Sequence, residues 1–241
     1  MLPGVTSRLS RDARKAETRV ALLRAAASLF ATDGIEATSL DRIAAELGLT
    51  KGAVYAHFTS KKELVSAVME AFESDPALTQ MRSHYFDETR TFEERMREVA
   101  RTGAELAEDG VFGLSGLEAV LLDLESVLYA LRDRDPKILA STRQIFETWG
   151  ANIDEVQAAR GEPLALPGST LRLLLYNVFR GLLLAHAQSP DLIPRSVFEN
   201  VYTELARALA ISNSTPKQTS RRSASPPAGS GCPPQLDRRR G

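Results

Sequence analysis

The 241-residue chain has one cysteine and three histidines, and this scarcity removes several classes of function. Cys232 stands alone, so no disulfide framework and no cysteine-based zinc site can form within the chain, which agrees with a reducing cytoplasm. His57, His84 and His186 lie too far apart in sequence to form a metal-ligand motif. A nucleophile elbow and a glycine-rich phosphate loop are also missing. We therefore predict no catalytic residues, no metal and no cofactor.

Long apolar runs are missing as well. The most apolar stretch, residues 171–187, is interrupted by Arg172, Asn177, Arg180 and His186, so it predicts a buried helix instead of a membrane span. The first residues lack the apolar segment of a signal peptide. We expect a cytoplasmic protein with no membrane partner.

The charges that are present are unevenly distributed. Residues 1–64 hold 10 Lys and Arg against 7 Asp and Glu, residues 65–211 hold 14 against 23, and residues 212–241 hold 6 against 1. The overall charge of −1 thus hides a basic head on an acidic body. This layout suits a protein that contacts nucleic acid with one end, and the acidic body weakly favours neutral or cationic small molecules.

Residues 38–64 have the pattern of two short helices joined by a tight turn, followed by the start of a third helix. Thr38 and Asp41 have the spacing of a capping box at the start of the first helix. Gly48 is suited to the left-handed conformation that follows a helix end, and Thr50 is a good N-cap for the second helix. The pattern predicts a helix-turn-helix.

The second helix of this motif has two different sides. Val54 and Phe58 are four residues apart and form its buried side. The opposite side offers small residues and hydrogen-bond donors, namely Lys51, Gly52, Tyr55 and Ala56. Small residues permit close approach, and Lys and Tyr donate to phosphate oxygens or base edges. This side is therefore expected to enter the major groove of DNA.

From about residue 17 to residue 75 the chain resembles the DNA-binding domain of the TetR family of transcriptional regulators. The segments that carry the resemblance are, in order, Leu29-Phe30-Ala31-Thr32-Asp33-Gly34, Ala37-Thr38-Ser39-Leu40, Ile43-Ala44, Leu47-Gly48-Leu49-Thr50-Lys51-Gly52, Tyr55, His57-Phe58, Ser60-Lys61 and Glu63-Leu64. The rest of the chain is similar to the family only as a helical body.

The resemblance implies roles for individual residues. Lys61 and the hydroxyl groups of Ser39 and Tyr55 are expected to grip phosphates, with Thr50, Lys51 and His57 at or near the floor of the groove. The full predicted DNA-contact set is Thr38, Ser39, Arg42, Thr50, Lys51, Gly52, Tyr55, His57 and Lys61. A purely structural interpretation also exists, in which Thr38 and Thr50 only cap helices.

The expected fold class is all-α, with a three-helix helix-turn-helix DNA-binding domain joined to a larger helical ligand-binding and dimerisation domain. The predicted segments are a disordered basic arm over 1–15, the DNA-binding domain over 16–75 with its motif at about 39–58, the body over 76–211 and a disordered tail over 212–241. Body helices are predicted over 91–107, 116–133, 135–160, 169–188 and 194–211, with the helix over 116–133 at the centre because it is apolar on nearly every side.

The helix over 169–188 is apolar almost all round, so we expect it either to lie at the centre of the body or to meet a second copy. The resemblance favours a second copy, and thus a homodimer formed by the last two helices. The resemblance implies a four-helix bundle between two subunits, which would hold two heads on a palindromic operator. The predicted interface residues are Leu174, Val178, Leu182, Val197, Val201, Leu205 and Leu209.

The body is also expected to enclose a pocket for an unknown small-molecule effector. The predicted lining residues are Phe92, Met96, Leu121, Glu125, Tyr129, Phe146, Trp149, Asn177 and Arg180, although aromatic residues and Met at helical spacing are more often plain core. The fourth helix, through Val68 and Phe72, is expected to transmit effector binding to the head.

The sequence thus predicts a homodimeric repressor that binds double-stranded DNA and leaves it when an effector binds. Two alternatives remain open at this point. One is a family member that activates transcription without a small molecule. The other is an all-helical ligand-binding or protein-interaction module, which leaves the Lys51, Tyr55 and Lys61 face unexplained.

Overall fold

Helix caps set most of the element boundaries. At Thr91 a complete capping box begins a body helix, because the hydroxyl of Thr91 accepts from the Glu94 N–H and the Glu94 carboxylate accepts from the Thr91 N–H. The same exchange between Ser115 and Glu118 begins the next helix. Asp75 caps the fifth helix, and Pro76 occupies its first position, where a missing N–H costs nothing.

The computed structural model describes the backbone of residues 5–133 and 136–210, and the side chains of residues 11–133, 143–144 and 147–210. Ten α-helices and no strand occur in these residues. They are α1 (Val5–Asp33), α2 (Leu40–Glu46), α3 (Lys51–Tyr55), α4 (Lys61–Glu73), α5 (Pro76–Ser83), α6 (Phe92–Asp109), α7 (Gly116–Asp133), α8 (Pro136–Arg160), α9 (Gly168–Gln188) and α10 (Arg195–Leu209). The predicted all-α class is confirmed. The predicted tail, Cys232 and the side chain of Phe146 lie outside the described residues.

Helix α1 is longer than the sequence indicated. It begins at Val5, so residues 5–15 are helical and the prediction of a disordered arm over them is wrong. No glycine or proline follows Gly4 until Gly34, and Arg, Leu, Ala, Lys and Glu are good helix formers. Gly34 then closes the helix with a φ of 87°.

The head is built around α1. Leu22, Ala26 and Phe30 on α1 pack with Val54 and Phe58 in one buried cluster. Helix α4 adds the apolar face that the sequence predicted, with Leu64, Val65, Val68 and Phe72 buried.

The buried face of α1 includes Leu23, Ala27 and Phe30. Val20, on the N-terminal side of this face, is 46% exposed.

The core of the head continues into the body. Leu122 of α7, together with Val111 and Leu114 of the loop before it, belongs to the same buried cluster as α1 and α4. Glu125 of α7 also accepts the backbone N–H of Ile35 at 3.2 Å. The predicted division at residue 75 stays a prediction, since the core itself runs across that position.

Helix α7 is not the centre of the body, and that prediction is wrong. Only Val120 and Leu122 of α7 are buried, whereas Leu117, Leu128 and Leu131 are exposed. The helix contacts α1 and α9, and also α6 and α8, so it lies among several helices while part of its apolar surface stays exposed. A helix that is apolar on all sides is therefore expected to have several contact faces. Its sequence does not show whether one chain covers all of them.

A second buried cluster forms the body core. It joins Met96 and Val99 of α6 to Leu171 and Leu175 of α9 and to the Phe198, Tyr202 and Ala206 stripe of α10. The buried Tyr202 hydroxyl donates to the Leu175 carbonyl at 2.6 Å. The predicted interface residues of α10 lie on the face of the helix next to this buried stripe. They are half-exposed in the single chain, and they are Val197, Val201, Leu205 and Leu209.

A shared core predicts that head and body unfold together. Leu122→Ala, at a fully buried position, should lower the free energy of unfolding by about 2–5 kcal/mol. Leu128→Ala on the same helix removes the same atoms from a position that is 41% exposed and should cost less than about 1 kcal/mol. Chemical denaturation checks both values, and amide exchange should show α1 and α6 losing protection together in Leu122→Ala. Loss of protection in the body alone would contradict a shared core.

Candidate nucleic-acid interface

The loop between α1 and α2, just before the motif, is held by polar contacts. Ser39 is the N-cap of α2, and its hydroxyl accepts from the Arg42 N–H at 3.1 Å. Thr38 is only 1% exposed, and its hydroxyl donates to the Gly34 carbonyl at 2.8 Å. The predicted capping box from Thr38 is therefore wrong by one residue. Thr38 as a DNA contact is also corrected, because its hydroxyl is buried inside the head.

Helix α3 presents the outward side that the sequence predicted. Thr50 caps it by accepting from the Ala53 N–H at 3.3 Å, and Gly48 makes the turn before it with a φ of 64°. Val54 faces inward with no exposed surface, whereas the Tyr55 side chain is 44% exposed. Lys51, Gly52 and Ala56 are exposed on the same short helix turn, so donors and small residues share one accessible surface.

Lys51 already has an acidic partner at this surface. Its Nζ lies 2.8 Å from an Asp41 carboxylate oxygen and 5.6 Å from the centre of the Tyr55 ring. The hydrogen bond from Lys51 to Asp41, followed by the charge of Asp41, raises the pKa of Lys51, so the group is a cation at neutral pH. Because both partners are exposed, water and salt screen the pair, and a phosphate or base edge can replace Asp41.

The other predicted cations are held in similar ways. Arg42 lies 3.8 Å from Asp33 and 3.6 Å from Glu46. Lys61 donates to the Glu36 carbonyl at 2.8 Å from the first turn of α4, where a cation opposes the helix dipole. Two residues share the capping of that helix. The Ser60 hydroxyl accepts from the Glu63 N–H, while the Glu63 carboxylate accepts from the N–H and hydroxyl groups of Thr59 and not from Ser60.

Two cations of α1 were not in the predicted contact set. Arg19 lies with its guanidinium 4.5 Å from the centre of the Phe58 ring and donates to the His57 carbonyl at 3.4 Å. Partial burial, and then the positive charges of Lys15 and Arg19, lower the pKa of His57. The missed signal was the four-residue spacing of Arg11, Lys15 and Arg19, which places them on one face of a helix.

A cavity of about 120 Å³ lies in the body between α4, α5, α6, α7 and α9. Its apolar wall includes Phe72, Leu78, Met81, Leu106, Val120 and Phe179. Its charged and polar lining residues are Glu73, Arg82, Asp123, Arg172, Tyr176 and Arg180.

Among the predicted pocket residues whose side chains the structure describes, Arg180 alone lines this cavity. The prediction is wrong for the other described residues, Phe92, Met96, Leu121, Glu125, Tyr129, Trp149 and Asn177, while the side chain of Phe146 is outside the described residues. Phe92 and Met96 belong to the body core, and Trp149 packs against it, while Leu121 and Tyr129 pack on the core of the head. Glu125 bonds to Ile35, and the exposed Asn177 donates to the Leu173 carbonyl of its own helix. These corrections share one cause, because helical spacing shows that a residue faces inward without showing which side of the body it faces.

One end of the cavity is a polar network. The Tyr176 hydroxyl donates to the Asp123 carboxylate at 2.6 Å, and Arg180 Nε lies 2.7 Å from its other oxygen. Arg180 also donates to the Tyr176 hydroxyl. Burial first, and then the charge of Asp123, raises the pKa of Tyr176 well above its ordinary value, so the phenol stays protonated and works as a donor.

A metal-binding cluster and a membrane-spanning helix are both absent from the described ranges, 5–133 and 136–210. No cluster of three or more His, Cys, Asp or Glu side chains there could hold a metal ion. Among the same residues no helix combines the length and the apolar character that crossing a membrane requires.

Residues 22–68 match the family model described as bacterial regulatory proteins, tetR family. Over 59 residues the chain is 44% identical to the HTH-type transcriptional regulator AcrR of Shigella flexneri, and this segment is 24% of this chain and 27% of AcrR. The head of the chain is therefore similar to the DNA-binding domain of TetR-family regulators. The sequence match lies in the head, so the TetR-family assignment there has its strongest support in the motif itself.

Solved structures extend the likeness to the body. A TetR transcriptional regulator from Chloroflexus aurantiacus has a TM-score of 0.62 at 22% identity, over 82% of this chain and 98% of that one. SmeT in complex with triclosan has a TM-score of 0.56 at 21% identity, over 82% of this chain and 93% of SmeT. The TetR-family fold therefore covers head and body.

The buried position of Thr38 predicts a structural role that can be separated from DNA contact. Thr38→Val keeps the shape of the side chain but removes its hydrogen bond, so it should destabilise the head by about 1–2 kcal/mol. DNA affinity of the folded protein should stay within about twofold. Ser39→Gly is the opposite control. A glycine cap costs only a few tenths of a kcal/mol, but DNA affinity should fall because the hydroxyl is lost. Thermal unfolding and a DNA shift assay measure the two effects, and weaker DNA binding by folded Thr38→Val would restore its place as a contact.

Proposed function

We propose that this chain is a sequence-specific DNA-binding transcriptional regulator of the TetR family. It acts as a homodimeric repressor that a small-molecule effector releases from a palindromic operator in the cytoplasm. The observation that carries the proposal is the outward side of α3, where exposed Lys51 and Tyr55 flank Gly52 and adjoin Ala56. A solvated helix face has no need of small residues beside a phenol, whereas a helix in the major groove needs close approach and donors.

The contacts divide by position on the head. Lys51 lies on α3, and Thr50 and His57 lie next to it. All three therefore reach the groove. Lys61 and Ser39 stand at the starts of α4 and α2, where N–H groups and donors favour phosphate. Lys15 and Arg19 add positive charge beside His57 and extend the phosphate contacts along α1.

A second copy supplies the matching half of the site. The α9 and α10 residues of the predicted interface, Leu174, Val178, Leu182, Val197, Val201 and Leu205, are all half-exposed in one chain. Gly181 on α9 has open space where a side chain would stand, which suits close approach of another helix. Two heads about 34–36 Å apart, or a multiple, then read both halves of a palindrome.

The cavity is positioned to act on the head through two helices. Phe72 and Glu73 bring α4 to its wall, and the Phe72 ring meets Phe112 edge-on at 6.3 Å. Asp123 brings α7 to the polar end, and two residues later Glu125 bonds to Ile35 of the head. An effector that favours another spacing of α4 and α7 would therefore change the separation of the two heads.

Relatives support this direction of regulation. SmeT is described as the repressor of the Stenotrophomonas maltophilia multidrug efflux pump SmeDEF, and its structure with triclosan holds a small molecule. For the present chain, release by an effector is the simplest use of a cavity that touches α4. An activator is the alternative within the same class.

DNA binding is tested with the purified chain and fragments of the region upstream of its own gene. The wild type should shift one fragment at moderate salt in the presence of excess genomic competitor. Lys61→Gln should weaken binding to all sequences and reduce the slope of log affinity against log salt by about one unit. Lys51→Gln should also reduce the preference for the specific fragment. Arg101→Gln, at an exposed cation of α6, is the control and should change neither. Wild-type protein with no preferred fragment would refute the proposal.

The dimer has its own test. Val201→Glu places a charge at a half-exposed position of α10, and burying it without a partner should raise the dimer dissociation constant by at least about a hundredfold. Glu204→Gln, at a side chain of the same helix that is 72% exposed, should leave the dimer intact. Sedimentation velocity over a range of concentrations gives the mass. A wild type that sediments as a monomer would exclude the dimer.

A further inference from the structure

The charges lining the body cavity have the opposite sign to the charge of the body. Among its lining residues that the structure describes are three guanidinium groups, on Arg82, Arg172 and Arg180, and two carboxylates, on Glu73 and Asp123. The lining therefore carries one excess positive charge. In a small apolar cavity water does not screen that charge, so it favours an anion. The acidic surface of the body, which favoured neutral or cationic molecules, is a poor guide to this interior.

The excess charge is concentrated at one end. Arg82 pairs with Glu73 at the α4 side. At the other end Arg172 and Arg180 both stack on the ring of Tyr176, with guanidinium carbons 5.1 Å and 4.5 Å from its centre. The two guanidinium groups thus flank one phenol and offer donors in the planar arrangement that suits a carboxylate.

The pair between Arg180 and Asp123 leaves one donor poorly used. Arg180 Nε is 2.7 Å from the Asp123 carboxylate, yet this buried Nε–H is not aligned for a hydrogen bond with any acceptor. The short distance gives Coulomb attraction, whereas a misaligned N–H loses much of the hydrogen-bond energy. A ligand carboxylate in the cavity can align with the Arg180 guanidinium and form the hydrogen bond that Asp123 does not form.

The volume of the cavity limits the size of the apolar part of a bound ligand. An apolar cavity of about 150 Å³ holds one benzene ring, and this one is about 120 Å³. Its wall of Leu78, Met81, Leu106 and Phe179 is apolar. A body of one ring, or a branched chain of similar size, fills that space, while two fused rings exceed it.

We infer that the effector is a small monocarboxylic acid, with an apolar body no larger than one ring and a carboxylate held by Arg172 and Arg180 beside Tyr176. This inference rests on the proposed use of the cavity as the effector site. The apolar body packs against Phe72 of α4, and the carboxylate meets the α7–α9 network at Asp123. One ligand thus contacts both helices that lead to the head.

The test uses the full chain without DNA, at pH 7.5, with benzoate as the probe and benzamide as its neutral counterpart of the same shape. Calorimetric titration should show benzoate binding at least about tenfold more tightly than benzamide, since a charged hydrogen-bond pair is lost in the amide. Choline, a cation, should not bind measurably, and 2-naphthoate should bind at least about tenfold more weakly than benzoate because of its second ring. Equal binding of benzoate and benzamide, no binding of benzoate, or a preference for choline would overturn the inference. Tighter binding of 2-naphthoate would overturn the limit of one ring.

Variants locate the binding site. Arg172→Gln should weaken the binding of benzoate by at least about tenfold and leave the affinity for benzamide unchanged. Arg172→Lys keeps the charge and should recover part of the affinity for benzoate. Circular dichroism checks the fold of both variants. If Arg172→Gln does not fold, the wild-type comparison of benzoate with benzamide still decides. Unchanged benzoate affinity in folded Arg172→Gln would place the acid elsewhere. Because no DNA is present, failure here leaves the DNA-binding proposal standing, and failure of the shift assay leaves this result intact.

Discussion

Helix α1 packs on two sides at once, and this double contact is the constraint on which the rest of the molecule depends. Phe30 and Leu22 face Val54 and Phe58 of the motif, while Leu122 of α7 closes the same cluster from the body. Since protein interiors are close-packed and resist compression, α7 cannot shift without moving α1. The head is therefore fixed to the body by core packing as well as by the chain connection through α4.

Carboxylates that link head and body reinforce the same constraint. Glu125 accepts the Ile35 N–H, and Asp75 accepts the Phe112 N–H at 3.2 Å. Both are carboxylates that accept from backbone N–H groups in the loops that follow α1 and α6. Such contacts fix the relative position of two elements, whereas apolar packing alone tolerates small sliding.

Sequence patterns predicted the head well and the body only in outline. Gly48, Thr50, Val54 and Phe58 have local roles, so their chemistry is readable from spacing: a turn, a cap and a buried side. The capping box was placed at Thr38 because Asp41 follows it by three residues, whereas Ser39, the actual N-cap, is followed at that spacing by Arg42 and lacks the capping-box pattern. In the body, helix existence and ends followed from caps such as Thr91, but which helices meet is not encoded by local spacing.

The cavity shows this limit most clearly. Arg180 was predicted as a polar residue in an apolar helix, and the cost of burying it required a partner. Asp123, fifty-seven residues earlier, is that partner, and no local pattern connects the two. Arg172 and Tyr176 precede Arg180 at four-residue spacing, so all three share one face of α9. Arg180 was predicted to line the pocket, whereas the other two residues of this face were not.

The length of α1 has a mechanical consequence. At about 1.5 Å per residue, its 29 residues form a rod, and the head grips only the half nearer its C-terminus. A tilt of about 5° pivoting at the C-terminal end would carry the far end sideways by nearly 4 Å, as follows from an axial length of about 44 Å. Such a lever converts an adjustment too small to disturb the core into a displacement wider than a hydrogen bond at the basic end.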